Sequence, residues 1–391
     1  MRSVPSNVAK KKKCSIFTFI DAFGWELLQQ YPFLEGVLTS KAPLKTVLGY
    51  SSTCVPTILT GKSPQEHGHL SFFYYQPEQS PFKMCRHLSV LPKSIASRGR
   101  VRHMLSKLLK RYLGYTGYFQ LYNMPFRYLP LFDYSEKQDI YQPGGINNGT
   151  PTIFDYFRQQ NIPFHLSDWK ADEEKNIASL RAALTEGHIE CAYLYLASMD
   201  GLLHAHGTKA PIIAEKIKWY DRQLRELLEL AQQKYDDVSL YIFSDHGMAD
   251  IVDHCDLISQ INQLGLSFGD DYAAMYDSTM ARFWFFNEPA RTKITQILTE
   301  ESHGDILTEA QLTDYGCNFE DNRYGELFFL MKPGVLICPS FMGERPLAGM
   351  HGYDPAHKDS VGLFASNVLH ETMPERLQDL YDVMQREATA A

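Results

Sequence analysis

Three short and almost continuously apolar runs stand out along the chain, at residues 15–20, 192–197 and 239–243. They are rich in aliphatic and aromatic residues and lack regular polar alternation. Runs of this length and composition are typical of strands that are buried on both faces of a sheet. The pattern therefore predicts three central strands of one core.

Between and after these runs, apolar residues recur at helical spacing, which predicts helices at 152–160, 177–186, 210–234 and 373–388. Alternating strands and helices favour an α/β fold, with a mostly parallel central sheet and helices on both faces. Two later strands are predicted at 280–286 and 326–337. The second should form a hairpin around Lys332-Pro333-Gly334.

One segment interrupts this alternation. Residues 79–132 contain no Asp or Glu, and aromatic residues follow densely in its second half. Its ten basic residues are Lys83, Arg86, Lys93, Arg98, Arg100, Arg102, Lys107, Lys110, Arg111 and Arg127. We predict an inserted basic, aromatic cap at 72–148 within a single domain spanning 1–391. The segment is either a solvated basic helix followed by a cap core, or a surface for an anionic substrate or membrane interface.

Composition limits the class of protein. The 391 residues are 44% hydrophobic and 21% charged, which is typical of a globular protein with a sizeable core. The net charge of −8 argues against a nucleic-acid partner. Seven cysteines without a CxxC pair favour buried, reduced thiols over disulfides.

The start of the chain imitates a signal peptide only weakly. The basic leader at 10–13 precedes an apolar run that is too short for one, and we expect a first buried strand there. No apolar run reaches eighteen residues. These features predict a cytoplasmic protein, with peripheral membrane contact through the basic cap left open and the oligomeric state undetermined.

Residues with metal-binding chemistry follow the apolar runs. They are Asp21 after the first run, Asp200 and His204 after the second, Asp245 and His246 after the third, and the remote His351 between glycines. Parallel strands present such residues together at their carboxyl edge. Three carboxylates and three imidazoles suffice for two divalent cations, with zinc favoured and manganese as the alternative.

A cluster of hydroxyl residues, Ser51-Ser52-Thr53, leads into a short apolar helix that should end at Gly61. Hydroxyls at such a position commonly cap the helix. Beside a metal, a hydroxyl at the positive end of a helix is instead a good nucleophile for phosphorus, because the backbone N–H groups hold phosphate oxygens.

Several motifs, taken together and in order, resemble the alkaline phosphatase superfamily, and within it the type I phosphodiesterase/nucleotide pyrophosphatase branch. They are Asp21, Thr60-Gly61-x-x-Pro64-x-x-His67-Gly68, Asp200-x-x-x-His204, Ser244-Asp245-His246-Gly247-Met248 and His351-Gly352-Tyr353-Asp354. They span residues 21–354, and the resemblance implies an alkaline-phosphatase-like fold.

The resemblance also implies roles for individual residues. One metal site would consist of Asp200, His204 and His351, and the other of Asp21, Asp245 and His246, with Ser51 bridging toward it. Ser51 would be the catalytic nucleophile, with Ser52 and Thr53 as alternatives. Thr53 and Cys54 would contact substrate; Cys54 stands where the extracellular nucleotide pyrophosphatases have Asn.

The expected activity is metal-dependent hydrolysis of phosphodiester or pyrophosphate bonds through a covalent Ser–phosphoryl intermediate. The substrate would be a small-molecule or lipid-linked phosphate ester. Two alternatives remain open, a phosphomonoesterase and a phosphotransferase acting on lipid- or glycan-linked phosphate.

Overall fold

The computed structural model describes residues 12–92 and 98–389. Residues 10 and 11 of the predicted leader, and Lys93 of the basic segment, lie outside them. The strands are β1 (Lys13–Ile20), β2 (Ser40–Leu44), β3 (Phe73–Tyr75), β4 (Phe132–Tyr134), β5 (Phe164–Leu166), β6 (Cys191–Leu196), β7 (Asp237–Phe243), β8 (Ala249–Asp250), β9 (Asp253–Cys255), β10 (Tyr272–Tyr276), β11 (Met280–Phe285), β12 (Gly304–Ile306), β13 (Leu327–Met331), β14 (Val335–Ile337), β15 (Gly349–Met350) and β16 (Gly362–Ser366). The helices are α1 (Trp25–Gln30), α2 (Ser51–Thr60), α3 (Pro64–His67), α4 (Gly99–Leu113), α5 (Ile153–Gln159), α6 (Glu173–Glu186), α7 (Ser198–His206), α8 (Pro211–Gln232), α9 (Leu257–Asn262), α10 (Glu288–Glu300), α11 (Glu309–Asp314) and α12 (Asp379–Thr389).

A six-stranded sheet with the order β2-β16-β7-β1-β6-β5 forms the centre of the fold. The neighbours β7, β1, β6 and β5 pair in parallel, whereas β16 is antiparallel to both β7 and β2. The three predicted central strands are confirmed as β1, β6 and β7, which lie side by side. The sheet is therefore mixed and mostly parallel, as the alternation of strands and helices predicts.

Helices cover both faces of this sheet. Side chains of a strand alternate between the two faces, so each central strand contributes to two separate cores. Ile16 and Ile20 of β1 pack into one core with residues of α6 and α8. Phe17 and Phe19 of the same strand pack into another core with residues of α2, α5 and α12. The three predicted central strands are therefore buried on both sides.

A second, antiparallel sheet has the order β10-β11-β13-β12. The predicted hairpin around Lys332 is wrong, because β13 pairs with β11 and β12 whereas β14 pairs in parallel with β9. A turn does occur there, with the Val335 N–H donating to the Lys332 carbonyl. It redirects the chain to another strand rather than folding it back. The closing helix also begins later than expected, at Asp379.

The described part of the 72–148 segment contains β3, β4, α4 and a 3₁₀ helix at Lys83–Val90. Strands β3 and β4 pair with each other, and aromatic side chains of the segment share one core with the second sheet. All seven cysteines are buried and unbridged in the described chain. Among the described helices, none combines the length and the apolar character needed to cross a bilayer.

Candidate metal centre

Three adjacent parallel strands bring the predicted acidic and imidazole residues to one edge. Asp21 directly follows β1, and Asp245 and His246 follow β7. Strand β6 leads into α7, on which Asp200 and His204 are four residues apart; Asp200 Oδ1 lies 3.2 Å from His204 Nε2. The carboxyl edge of the sheet therefore collects these side chains, as their positions after the strands predict.

His351 reaches this edge through a separate short pairing. Met350 of β15 pairs with Ala249 of β8, just after His246 in the chain. A Cβ at Gly349 would lie 2.7 Å from the Leu203 carbonyl oxygen, so glycine allows β15 to approach α7 closely. His351 Nε2 consequently lies 3.5 Å from Asp200 Oδ1.

The ligand atoms form two overlapping groups, each with its atoms within 4.8 Å of one another. The groups are Asp21, Asp245 and His246, and Asp200, His246 and His351. The resemblance assigns His204 with Asp200 and His351, whereas in the structure His246 completes that group and His204 contacts Asp200 from the side. His246 therefore belongs to both groups.

Backbone carbonyls fix the orientation of two of the imidazoles. His204 Nδ1 lies 2.8 Å from the Gly349 oxygen, and His246 Nδ1 lies 2.9 Å from the Gly247 oxygen. Because a carbonyl can only accept, both Nδ1 atoms donate, and both Nε2 atoms face the carboxylates. This is the usual way in which proteins orient metal-ligating histidines.

Three buried atoms of the centre lack a hydrogen-bond partner of good geometry within the described chain: Asp200 Oδ1, Asp245 Oδ2 and His351 Nδ1. Buried polar atoms normally have a partner, because leaving one unsatisfied is costly. Bound cations would satisfy the two carboxylate oxygens. The donor set of carboxylate oxygens and imidazole nitrogens suits zinc or manganese, so the residues present fit a pair of divalent metal ions.

The electrostatics of the centre also favour positive charge. Burial, followed by the charges of Asp245 and Asp200, holds the pKa of Asp21 well above its usual range. Burial acts to lower the pKa of His246, but Asp245 and then Asp21 outweigh it and raise this pKa to about 9. A proton is thus favoured on Asp21 or on His246, and a bound cation would displace it.

Ser51 is the first residue of α2, and its side chain lies beside one of the two groups. Its Oγ is 3.1 Å from His246 Nε2 and 3.5 Å from Asp21 Oδ1. The other two hydroxyls of the cluster do not contact His246: Thr53 Oγ1 donates to the Leu70 carbonyl, and Ser52 Oγ is buried without a partner in the described chain. The geometry distinguishes three hydroxyls that the sequence leaves as alternatives.

The predicted substrate residues Thr53 and Cys54 do not line the neighbouring cavity. Both side chains are buried, and Cys54 Sγ contacts Thr46 Oγ1 at 3.5 Å. The expectation that they contact substrate therefore finds no support in their positions, because α2 turns both of them toward the core.

A cavity of about 490 Å³ opens beside Ser51 and Asp21. Its aromatic lining includes Phe72, Tyr118, Tyr122, Tyr141 and Trp169. These rings come from distant parts of the chain, so periodicity could not assign them to a site. Tyr118 and Tyr122 belong to the dense aromatic stretch that the sequence shows after α4, whereas Phe72, Tyr141 and Trp169 lie outside it.

Tyr195 is another residue of the centre that the sequence did not indicate. Its hydroxyl donates to Asp21 Oδ2 at 2.8 Å from strand β6. In the sequence it is one of several aromatic residues in an apolar run, and only the pairing of β6 with β1 places it beside Asp21.

A third group of ligand-type side chains, Cys255, Glu301 and His303, lies away from this edge. Gln260 Nε2 donates to Glu301 at 2.6 Å, and His303 contacts Glu301 at 2.6 Å and Asp253 at 3.4 Å. These side chains satisfy one another by hydrogen bonds, in contrast to Asp200 Oδ1, Asp245 Oδ2 and His351 Nδ1 of the central groups.

Comparison with known proteins places this geometry in a family. Residues 16–354 match the model of the type I phosphodiesterase/nucleotide pyrophosphatase family. No curated protein matches the chain in sequence.

Solved structures match the fold over almost its whole length. Human ectonucleotide pyrophosphatase/phosphodiesterase 5 is 16% identical with a TM-score of 0.68, and the match covers 96% of this chain and 95% of that one. Phosphonoacetate hydrolase from Sinorhizobium meliloti 1021 is 13% identical with a TM-score of 0.66, covering 97% and 96%. The chain is a member of the type I phosphodiesterase/nucleotide pyrophosphatase family of hydrolases, in the alkaline phosphatase superfamily, with Asp and His groups consistent with a bimetallic site.

Proposed function

We propose that this protein hydrolyses phosphodiester or pyrophosphate bonds, with Ser51 as the nucleophile. The observation that carries the proposal is the position of Ser51 Oγ, 3.1 Å from His246 Nε2 at the start of α2 and at the border between the metal-binding groups and the aromatic cavity. Membership of the family indicates the class of reaction, and this position favours Ser51 Oγ as the atom that attacks phosphorus.

The N-terminus of α2 is suited to the phosphate. Helix N-termini carry partial positive charge and free N–H groups, which attract phosphate oxygens. A phosphate held there would place its phosphorus next to Ser51 Oγ. Asp21 and His246 are the groups that lie nearest to Ser51 Oγ.

The metal ligands in this proposal are Asp21, Asp245 and His246 for one ion, and Asp200, His204 and His351 for the other, with His246 between them. Two bound divalent cations would lower the pKa of a neighbouring hydroxyl and neutralise charge on the phosphate oxygens. Zinc is proposed first and manganese second, on the strength of the mixed nitrogen and oxygen donors.

The reaction then has two displacements at phosphorus. Ser51 Oγ gives up its proton to solvent and forms a bond to phosphorus while the bond to the first alcohol or phosphate breaks. That group leaves with the electron pair, and an alcohol takes up a proton from solvent. Water next attacks the phosphoserine ester and releases Ser51 and the second product, a phosphate monoester. The roughly 490 Å³ cavity beside Ser51 is large enough for an organic group on the phosphorus.

The test compares hydrolysis of bis-p-nitrophenyl phosphate and p-nitrophenyl phosphate, with and without zinc or manganese. We expect metal-dependent preference for the diester, and a loss of at least about 10³-fold in kcat for Ser51→Ala. Ser52→Ala and Thr53→Val are matched controls on the same helix and should retain activity. Preference for the monoester would assign the protein as a phosphomonoesterase, and an active Ser51→Ala enzyme would refute the assigned nucleophile.

A further inference from the structure

Helix α4, at Gly99–Leu113, has apolar side chains on two faces, and on one of them Leu105, Leu109 and Leu113 are half-buried against the core of the second sheet. Its buried residues are the polar Arg102 and Ser106, whereas Met104, Leu108 and Tyr112 are 55%, 59% and 71% exposed. Arg102 donates to the Met124 carbonyl at 2.6 Å, and Ser106 accepts from the Leu121 N–H at 2.9 Å. These bonds and the packing of the leucines hold that face inward, so the row of Met104, Leu108 and Tyr112 is presented to the surface.

The three exposed apolar residues form one continuous row. They are spaced at i, i+4 and i+8, so they lie above one another along a single face of the helix. Of the eleven large hydrophobic residues that are exposed in the described chain, six lie between residues 84 and 118. Exposed apolar residues that are concentrated in this way indicate an interaction surface rather than random scatter.

Basic residues border the apolar row directly. His103, Lys107 and Arg111 are exposed on the adjacent face, with Arg100 at the start of the helix. The sequence from 79 to 132 has no acidic residue, although the whole chain has a net charge of −8. The charge of the protein is therefore strongly polarised, and this surface is the basic part.

The surface is also connected to the wall of the aromatic cavity. The chain leaves α4 at Gly114 and reaches Gly117 and Tyr118, both of which line the cavity beside Ser51. Lys110 Nζ, on the last turn of α4, donates to the Gly117 carbonyl and ties the helix to that wall. Whatever α4 binds is thereby held next to the cavity.

We propose that α4 docks on the surface of an anionic lipid membrane, with Met104, Leu108 and Tyr112 entering the interface and the neighbouring Arg and Lys residues contacting lipid phosphates. A basic rim beside an exposed apolar row is the pattern of helices that lie in the plane of a membrane surface. Charge complementarity selects an anionic membrane over a neutral one. The inference goes beyond the proposed function, because it assigns where the enzyme acts and not what it cleaves.

The test is co-sedimentation of the full chain with phosphatidylcholine vesicles that contain or lack phosphatidylserine. We expect binding only with phosphatidylserine and weakening by salt, because the lipid charges are screened. The double variant Met104→Ser/Leu108→Ser should bind at least about tenfold more weakly, from the loss of apolar burial. Leu369→Ser, at a residue 82% exposed outside this surface, is the matched control and should bind as the wild type does.

A second readout separates this proposal from the proposed function. Leu108→Trp should show a blue shift of its emission on addition of phosphatidylserine vesicles, also in the Ser51→Ala background, because no catalysis is needed. Hydrolysis of the soluble diester should be unchanged in Met104→Ser/Leu108→Ser. Absence of vesicle binding by the wild type would overturn the proposal, as would a concentration-dependent dimer that this double variant abolishes, which would assign the surface to a second copy.

Discussion

The imidazole rings of His246 and His351 are stacked, with their centroids 3.7 Å apart and their planes inclined by 12°. They come from different strand ends, and His246 is shared by the two groups of candidate metal ligands. Burial and then the charge of His246 hold the pKa of His351 well below its usual value, whereas the carboxylates raise that of His246 to about 9. The two groups are therefore one electrostatic unit rather than two independent sites.

This sharing predicts unequal losses of metal. The wild type should bind about two metal ions per chain, His351→Ala about one, and His246→Ala fewer than one, because only His246 contributes to both groups. Metal content after gel filtration measures this directly. Cys255→Ser, in the hydrogen-bonded group away from the centre, should keep the wild-type content, and a loss of one ion from that variant would reveal a metal elsewhere.

Tyr195 should increase the metal affinity of the centre through its hydrogen bond to Asp21. Replacing it by Phe removes the hydroxyl that donates to Asp21 Oδ2 at 2.8 Å, and with it the orientation of a proposed ligand. We expect metal affinity to fall by about 10–100-fold, measured by competition with a chromophoric chelator. Tyr193→Phe is the control on the same strand, since its buried hydroxyl has no partner in the described chain. Equal affinities of the two variants would contradict a role for Tyr195.

Arg282 should be a stabilising residue of the second sheet. It is fully buried, pairs with Asp277 at 3.0 Å, and donates to Ser71 Oγ and to the carbonyls of Phe73 and Tyr324. Arg282→Met leaves a buried carboxylate without its partner, so the free energy of unfolding should fall by about 3–5 kcal/mol. Urea unfolding measures the change.

The matched control is Arg323→Met, because Arg323 forms an exposed pair with Asp321. Exposed pairs contribute about 1 kcal/mol or less, so this variant should unfold close to the wild type. A similar small loss for Arg282→Met would mean that the sheet repacks around the missing side chain.

Glu136 should make stability depend on pH. It is buried in the cavity wall, and burial followed by the charge of Asp139 raises its pKa from 4.5 to about 8, with Lys110 opposing. Because the pKa is higher in the folded state, the folded protein holds this proton more tightly than the unfolded chain does. The contribution of Glu136 to the free energy of unfolding is therefore complete below about pH 4.5 and declines as the pH rises to about 8. Glu136→Gln should therefore be relatively more stable at high pH.

Urea unfolding of both proteins at a series of pH values tests this difference. The difference in unfolding free energy should grow in favour of Glu136→Gln between about pH 4.5 and about pH 8 and remain constant above it. Parallel stability curves would show that Glu136 ionises in the fold as easily as in the unfolded chain.

Much of the fold and of the candidate metal-binding groups could be predicted from the sequence. Strands β1, β6 and β7 are buried on both faces, so their composition alone identifies them. Asp21, Asp200 and Asp245 follow those strands, and parallel strands necessarily bring their carboxyl ends to one edge. Asp200 and His204 are four residues apart on one helix, so their position on the same face also follows from the sequence alone.

Only the tertiary structure decided the remaining features, because they depend on contacts between distant segments. Which of Ser51, Ser52 and Thr53 lies against His246 depends on the rotation of α2 against the sheet, which a run of three hydroxyls does not encode. The sharing of His246, the hydrogen bond from Tyr195 and the aromatic cavity depend on strand pairing. The exposure of Met104, Leu108 and Tyr112 on α4 likewise depends on which face of that helix packs against the core.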